Sequence, residues 1–105
     1  MEALTETKSL AIMEERAGQA ANLLKALSNE RRLLILCNLV GGELSVTQLN
    51  ARIALSQSAL SQHLAKLRQE KLVSVRKEAQ TVYYRIASDE ARQVLSLLYS
   101  IYCAD

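Results

Sequence analysis

The stretch SVTQLNARIALSQSALSQHLAKLRQE, residues 45–70, contains two helix starts in close succession. Ser45 and Gln48 have the S-x-x-Q spacing of a capping box, in which each side chain satisfies the other residue's backbone N–H. The short helix they open is expected to end near Ile53, and Ser56 caps the next, from about Gln57 to Glu70. Two short capped helices with a tight connection, LNARIALS at residues 49–56, make a helix-turn-helix candidate. At about 100° per residue, Leu60, Leu64 and Leu67 share a narrow stripe that packs on the preceding helix. Gln57, Ser58, Ser61 and Gln62 gather on another face near the N-terminus, where a recognition helix presents side chains to the major groove. Hydroxyls and amides suit base edges and phosphates because each can donate and accept. His63 lies between the two faces, so it either orients the helix as a partly buried residue or contacts a phosphate.

Outward from this core the chain keeps short, capped elements. Upstream, Met13, Ala17, Ala20, Leu24 and Leu27, widened by Leu23, predict an amphipathic helix over Ser9 to Leu27. Ser28 is placed to cap a second helix from Asn29 to Val40, which Gly41-Gly42 ends. Downstream the period changes. Leu72 to Lys77 and Thr81 to Ile86 are β-branched and aromatic runs joined by Glu78-Ala79-Gln80, a β-hairpin signal without the usual glycine. Tyr84 alternates with Val82 and Ile86 and is expected inward, while Tyr83 alternates with Thr81 and Arg85 and is expected outward. Ser88 caps a last helix to about Tyr102, with Asp89 and Glu90 at its positive end.

The expected fold is mainly α with a β-hairpin wing, an α+β winged helix-turn-helix. Its order is four helices, two strands and a final helix. One domain is expected over residues 1–105: a frayed start over 1–8, the helix-turn-helix over 45–70, the wing over 72–86 and a dimerisation helix over 88–102.

Composition narrows the function. The 105 residues are 50% hydrophobic and 23% charged, a globular balance, and contain no proline, tryptophan or phenylalanine. No apolar run approaches the roughly 18 residues of a membrane span, and the first residues lack a basic leader, which predicts a soluble, cytoplasmic protein. Gly18, Gly41 and Gly42 make no phosphate loop, and the lone His63 precludes a multi-histidine metal site, so an enzyme is not expected. Between Arg52 and Arg85 seven basic residues face Glu70 and Glu78, a net +5 in a chain of net +2. A basic middle on a neutral frame suits a polyanion, with Arg76, Lys77 and Arg85 placed to touch DNA from the wing. The last helix carries Val94, Leu95, Leu97, Leu98, Ile101 and Tyr102 around most of its circumference, enough for the core and for a second copy. The first helix is the natural second contributor to such a dimer.

Over roughly residues 16–104 the chain resembles the ArsR/SmtB family of winged-helix transcriptional regulators. The matching stretches are LLKALSNERRLLILCNL, ELSVTQL, LSQSALSQHLAKLRQEKLV and VRKEAQTVYYRI. Within the family it is most similar to the HlyU, BigR and SqrR branch. The resemblance implies a homodimer through the first and last helices, bound to an imperfect inverted-repeat operator in double-stranded DNA. By motif position it implies major-groove roles for Gln57, Ser58, Ser61 and Gln62, and wing roles for Arg76 and Lys77.

The family's metal-sensing members read ELCVCDL where this chain reads ELSVTQL, with Ser45 and Thr47 in place of thiolates. Hydroxyls are poor ligands for soft metals, so neither a metal nor another cofactor is expected. Cys37 lies in the apolar second helix and Cys103 at the end of the last, and spacing alone leaves an inert pair open. The resemblance implies more: in the thiol-sensing branch one cysteine lies in the second helix and its partner near the end of the fifth, as here. It implies a regulator, of the repressor type, whose operator affinity is switched by oxidation or persulfidation of Cys37 and Cys103. The inducer would be sulfane sulfur or an oxidant. The rivals are a metal-responsive repressor, a small thiol-dependent enzyme, and an activator or antisilencer with inert cysteines.

Overall fold

A computed structural model describes residues 7–103. Their order is α1 (Thr7–Leu27), α2 (Glu30–Leu39), β1 (Leu44–Ser45), α3 (Val46–Arg52), α4 (Gln57–Gln69), β2 (Val73–Glu78), β3 (Thr81–Ile86) and α5 (Asp89–Tyr102). Helices on one hairpin make the mainly α, winged-helix architecture that the sequence predicts. The frayed start expected over residues 1–8 lies outside the described residues for positions 1–6. Thr7 and Lys8 already belong to α1, which opens two residues before the expected Ser9.

The caps explain where the helices begin. Ser45 Oγ accepts from the Gln48 N–H at 3.1 Å while Gln48 Oε1 accepts from the Ser45 N–H at 2.8 Å, so the capping box forms. Ser56 caps α4 through the Ala59 N–H, and Ser88 caps α5 through the Ala91 N–H. The α2 cap is a correction: Asn29, not Ser28, accepts from the Arg32 N–H at 3.0 Å. Ser28 instead donates to the Lys25 carbonyl at 2.8 Å and closes α1, leaving the next polar residue to open α2. After Val40 the chain turns through Gly42 at φ 144°, a conformation that favours glycine.

The two-stranded ribbon gains a third, short strand. β1 pairs antiparallel with β3, Leu44 opposite Tyr84 and Ser45 opposite Tyr83, giving the order β1-β3-β2. Two residues carry no alternation for a sequence reading to detect. In the hairpin, Glu78 pairs with Thr81 and Ala79 adopts φ 55°, so an alanine takes the left-handed position that glycine usually fills.

The core collects Ile35, Leu36 and Leu39 of α2, Leu49 of α3, Leu60, Leu64 and Leu67 of α4, and Leu95 of α5. The leucine stripe of α4 is thus wholly inward and fixes which face the helix turns to solvent. The stripe of α1 behaves otherwise. Leu27 is buried and Leu23 packs on the core, but Met13 is half-exposed and Leu24 is 59% exposed. Leu10 and Ile12 are half-exposed as well, and at the other terminus so are Leu97, Tyr99 and Ile101. The molecule measures 52 × 33 × 22 Å with a radius of gyration of 15.9 Å. A compact chain of this size has about 13 Å. The excess length comes with a long α1 that is exposed over most of its course.

Candidate nucleic-acid interface and cysteine positions

At the N-terminal end of α4, Gln57, Ser58, Ser61 and Gln62 are all exposed. They stand on the face away from the buried leucines, so the helix offers hydroxyls, amides and its unpaired N–H groups together. His63 is half-buried between the two faces. The turn before α4 is held by Asn50, whose Nδ2 donates to the Leu55 carbonyl at 2.8 Å. Sequence reading passed over Asn50, since an asparagine inside a connection signals only a polar turn.

The wing places its cations in different environments. Arg76 donates through Nε to both oxygens of Glu43 at 3.1 and 3.2 Å, and through Nη1 to Glu78 at 2.8 Å. Its guanidinium also lies 4.7 Å from the centre of the Tyr83 ring, directly across the hairpin register. Hydrogen bonding to Arg76 holds the Glu43 carboxyl below its ordinary range, helped by the charges of Arg76 and Arg85. The same bonds, from Glu43 and then Glu78, push the Arg76 guanidinium further up. Arg85 donates to Ser74 Oγ at 3.1 Å, and Lys77 is exposed opposite Val82. Sequence reading missed Glu43 and the role of Tyr83. The Tyr83 contact was within reach of the register, because Arg76 and Tyr83 oppose each other; the Glu43 contact depends on β1, which it did not foresee. Tyr84 packs against the core as expected.

Both cysteines are free thiols. Cys37 is half-buried in α2 and packs against the core; Cys103 is exposed at the C-cap of α5, its N–H donating to the Tyr99 carbonyl. Burial pushes the Cys37 thiol up, and the charge of Cys103 adds to the rise. The helices that carry them, α2 and α5, pack against each other. At the position of the family's thiolates, the Ser45 hydroxyl is engaged in the α3 cap. Among the described residues no three His, Cys, Asp or Glu side chains gather as a metal site. No described helix is long and apolar enough to cross a membrane.

A capped short helix, a locked turn, a second helix with a polar N-terminal face and a basic hairpin beside it define a winged helix-turn-helix DNA-binding protein. Residues 29–75 match the model of the bacterial regulatory protein, arsR family. The chain is 56% identical to the transcriptional activator HlyU of Vibrio cholerae serotype O1 over 87% of its own length and 84% of that protein. It is 43% identical to the biofilm growth-associated repressor of Agrobacterium fabrum over 90% of its length and 81% of that protein's. The solved structure of reduced HlyU from Vibrio cholerae superposes with a TM-score of 0.82 at 56% identity, covering 87% of this chain and 96% of that one. The chain belongs to the ArsR family of bacterial transcriptional regulators; it binds DNA and is not an enzyme.

Proposed function

We propose that the protein is a cytoplasmic homodimer that binds an inverted-repeat operator as a repressor and releases it when Cys37 and Cys103 are oxidised or persulfidated. Gln57, Ser58, Ser61 and Gln62 read the major groove, and His63 orients α4 beside the backbone. Lys77 meets a phosphate from the wing, and Arg76 holds the wing in place through Glu43 and Glu78. Dimerisation has a physical reason: one domain neutralises few phosphates, and a two-fold pair doubles the contacts across half-sites about one turn apart. The exposed apolar residues of α1 and α5 supply a face for it.

The observation that supports the switch is that Cys37 and Cys103 are free thiols on two helices, α2 and α5, that pack against each other. One thiolate attacks the outer sulfur of an organic persulfide and releases a thiol, leaving a protein persulfide. The second thiolate then attacks the inner sulfur and expels hydrosulfide, closing a disulfide. With peroxide, the first thiolate attacks one oxygen to give a sulfenic acid and hydroxide, and the second thiolate attacks its sulfur and expels hydroxide, closing the disulfide. That a relative has been solved in a form described as reduced also supports a redox reading. A bridge ties α2 to α5 and biases the two recognition helices away from their groove spacing. A bias of about 2.7 kcal/mol lowers operator affinity about a hundredfold.

Operator-binding anisotropy beside intact mass spectrometry tests this, before and after an organic persulfide or hydrogen peroxide. Lost affinity with a Cys37–Cys103 bridge, restored by reductant and absent in Cys37→Ser and Cys103→Ser, is the expected result. Unchanged affinity with both thiols modified would reject the switch while leaving DNA binding intact.

A further inference from the structure

The helix α1, the start of α2, the end of α4 and the start of α5 line a groove of about 970 Å³. Five cations line it: Arg16, Lys25, Arg32, Lys66 and Lys71. Only two carboxylates, Glu70 and Glu90, oppose them. Leu23, Ala26 and Leu72 add apolar surface. The volume is at the upper end of what small-molecule sites use.

Two features set this apart from an ordinary solvated face. First, the Arg32 side chain is only 13% exposed, and its Nη1 is fully buried without a hydrogen-bond partner among the described residues. Glu70 lies 3.5 Å away, near enough to balance charge but too far to satisfy the donor. A buried guanidinium N–H left unpaired is costly, and an added acceptor removes that cost. Second, Lys71 stands at φ 64°, immediately beyond α4, in the left-handed position that glycine commonly fills. Its N–H bonds to the Arg68 carbonyl, and the next N–H, of Leu72, bonds back to Leu67, so the backbone itself gains nothing from a lysine there. The lysine thus carries a backbone cost at the lip of a cationic groove.

We propose that this groove binds a small organic anion, with a phosphate or carboxylate head met by Arg32, Lys66 and Lys71 and an apolar body against Leu23 and Leu72. The site is independent of the cysteines. Lys66 is also nine residues along α4 from Gln57, roughly 13 Å from the end that reads DNA.

The test is calorimetric titration of the full chain with 1-naphthyl phosphate, 1-naphthoate and 1-naphthol. The two anions should bind once per chain and the neutral alcohol should not; whichever anion binds more tightly identifies the head group. Lys71→Gly relieves the backbone, so its melting temperature should hold or rise while its affinity for the anion falls about tenfold. Arg32→Gln should weaken binding at least as much. Equal binding of 1-naphthol, no binding at all, or affinity untouched by Lys71→Gly would each overturn the proposal. Displacement of the anion, mole for mole, by a short random-sequence duplex would overturn it too, since the cations would then serve DNA phosphates.

Discussion

Of the wing's three cations, Arg76 is held by two carboxylates and Arg85 by Ser74, whereas Lys77 is exposed, and salt dependence separates Arg76 from Lys77. Arg76 is clamped between Glu43 and Glu78, whereas Lys77 is exposed next to it. Each phosphate neutralised by a protein cation contributes about 0.9 to the slope of log affinity against log salt. The proposed dimer would present two wings, so Lys77→Gln should flatten that slope by about 1.8. Between 50 and 200 mM salt, a fourfold range, the wild-type loss of affinity then exceeds the variant's by about twelvefold. Arg76 is tested at constant net charge by the double variant Glu43→Gln with Arg76→Gln, which deletes the ion pair without changing the long-range field. Its slope should match wild type, with affinity lowered about equally at every salt concentration because the wing base is looser. The assay is fluorescence anisotropy with one operator duplex at five or more salt concentrations (a number chosen to define a line, about one per 40 mM). A double variant whose slope flattens as far as that of Lys77→Gln would refute the reasoning. Arg76 would then leave Glu43 on binding and become a phosphate contact itself.

Gln62→Ala removes an exposed amide proposed to read the groove and should cost about 1–3 kcal/mol of preference for operator over random duplex, with random binding unchanged; competition anisotropy reads both. Cys103→Ser removes the second cause of the raised Cys37 thiol but not its burial. The alkylation rate of Cys37 should therefore reach its midpoint at a lower pH than in wild type, and a midpoint that stays or climbs would count against the electrostatic reach of Cys103. Glu43 titrates below its ordinary 4.5, so its contribution is fully present above that value and is lost as pH falls through the lowered one. Thermal melts in that acid window should decline more steeply for wild type than for Glu43→Gln, and parallel curves would contradict the ion pair.

What was legible in the sequence was what adjacent residues decide among themselves. Ser45 with Gln48, Ser56 with Ala59 and Ser88 with Ala91 lie three residues apart, and each cap formed where the spacing put it. The α4 leucines were legible for the same reason: one helical period both predicts the stripe and buries it. Asn29 displaced Ser28 because two adjacent residues can both cap, and the end of α1 decided which was free. The wing differs in kind. Arg76 reads as a DNA-facing cation in isolation, and only a tertiary turn through Gly42 brings Glu43 to it from 33 positions away. Charge along a chain counts cations; it does not say which of them are already neutralised.

The α1 stripe makes the same point for apolar residues. Met13 and Leu24 repeat at helical spacing, and that spacing correctly gives a helix with an apolar side. Periodicity predicts that such a face will be buried without naming what covers it. Among the described residues of α1, only Ala26 and Leu27 are buried, with Leu23 packed against the core. Leu10, Ile12, Met13 and Leu24 on α1, with Leu97, Ile101 and Tyr102 on α5, remain open to water. Each large side chain moved from water to an apolar contact is worth roughly 1.5–3 kcal/mol. These side chains are already about half covered, so seven on each of two copies would supply about 10–20 kcal/mol, against a cost of association of about 4–15 kcal/mol. The apolar period of α1 therefore fits a fold completed by a second copy, and the proposed homodimer would by the same pairing set two recognition helices about one turn of DNA apart.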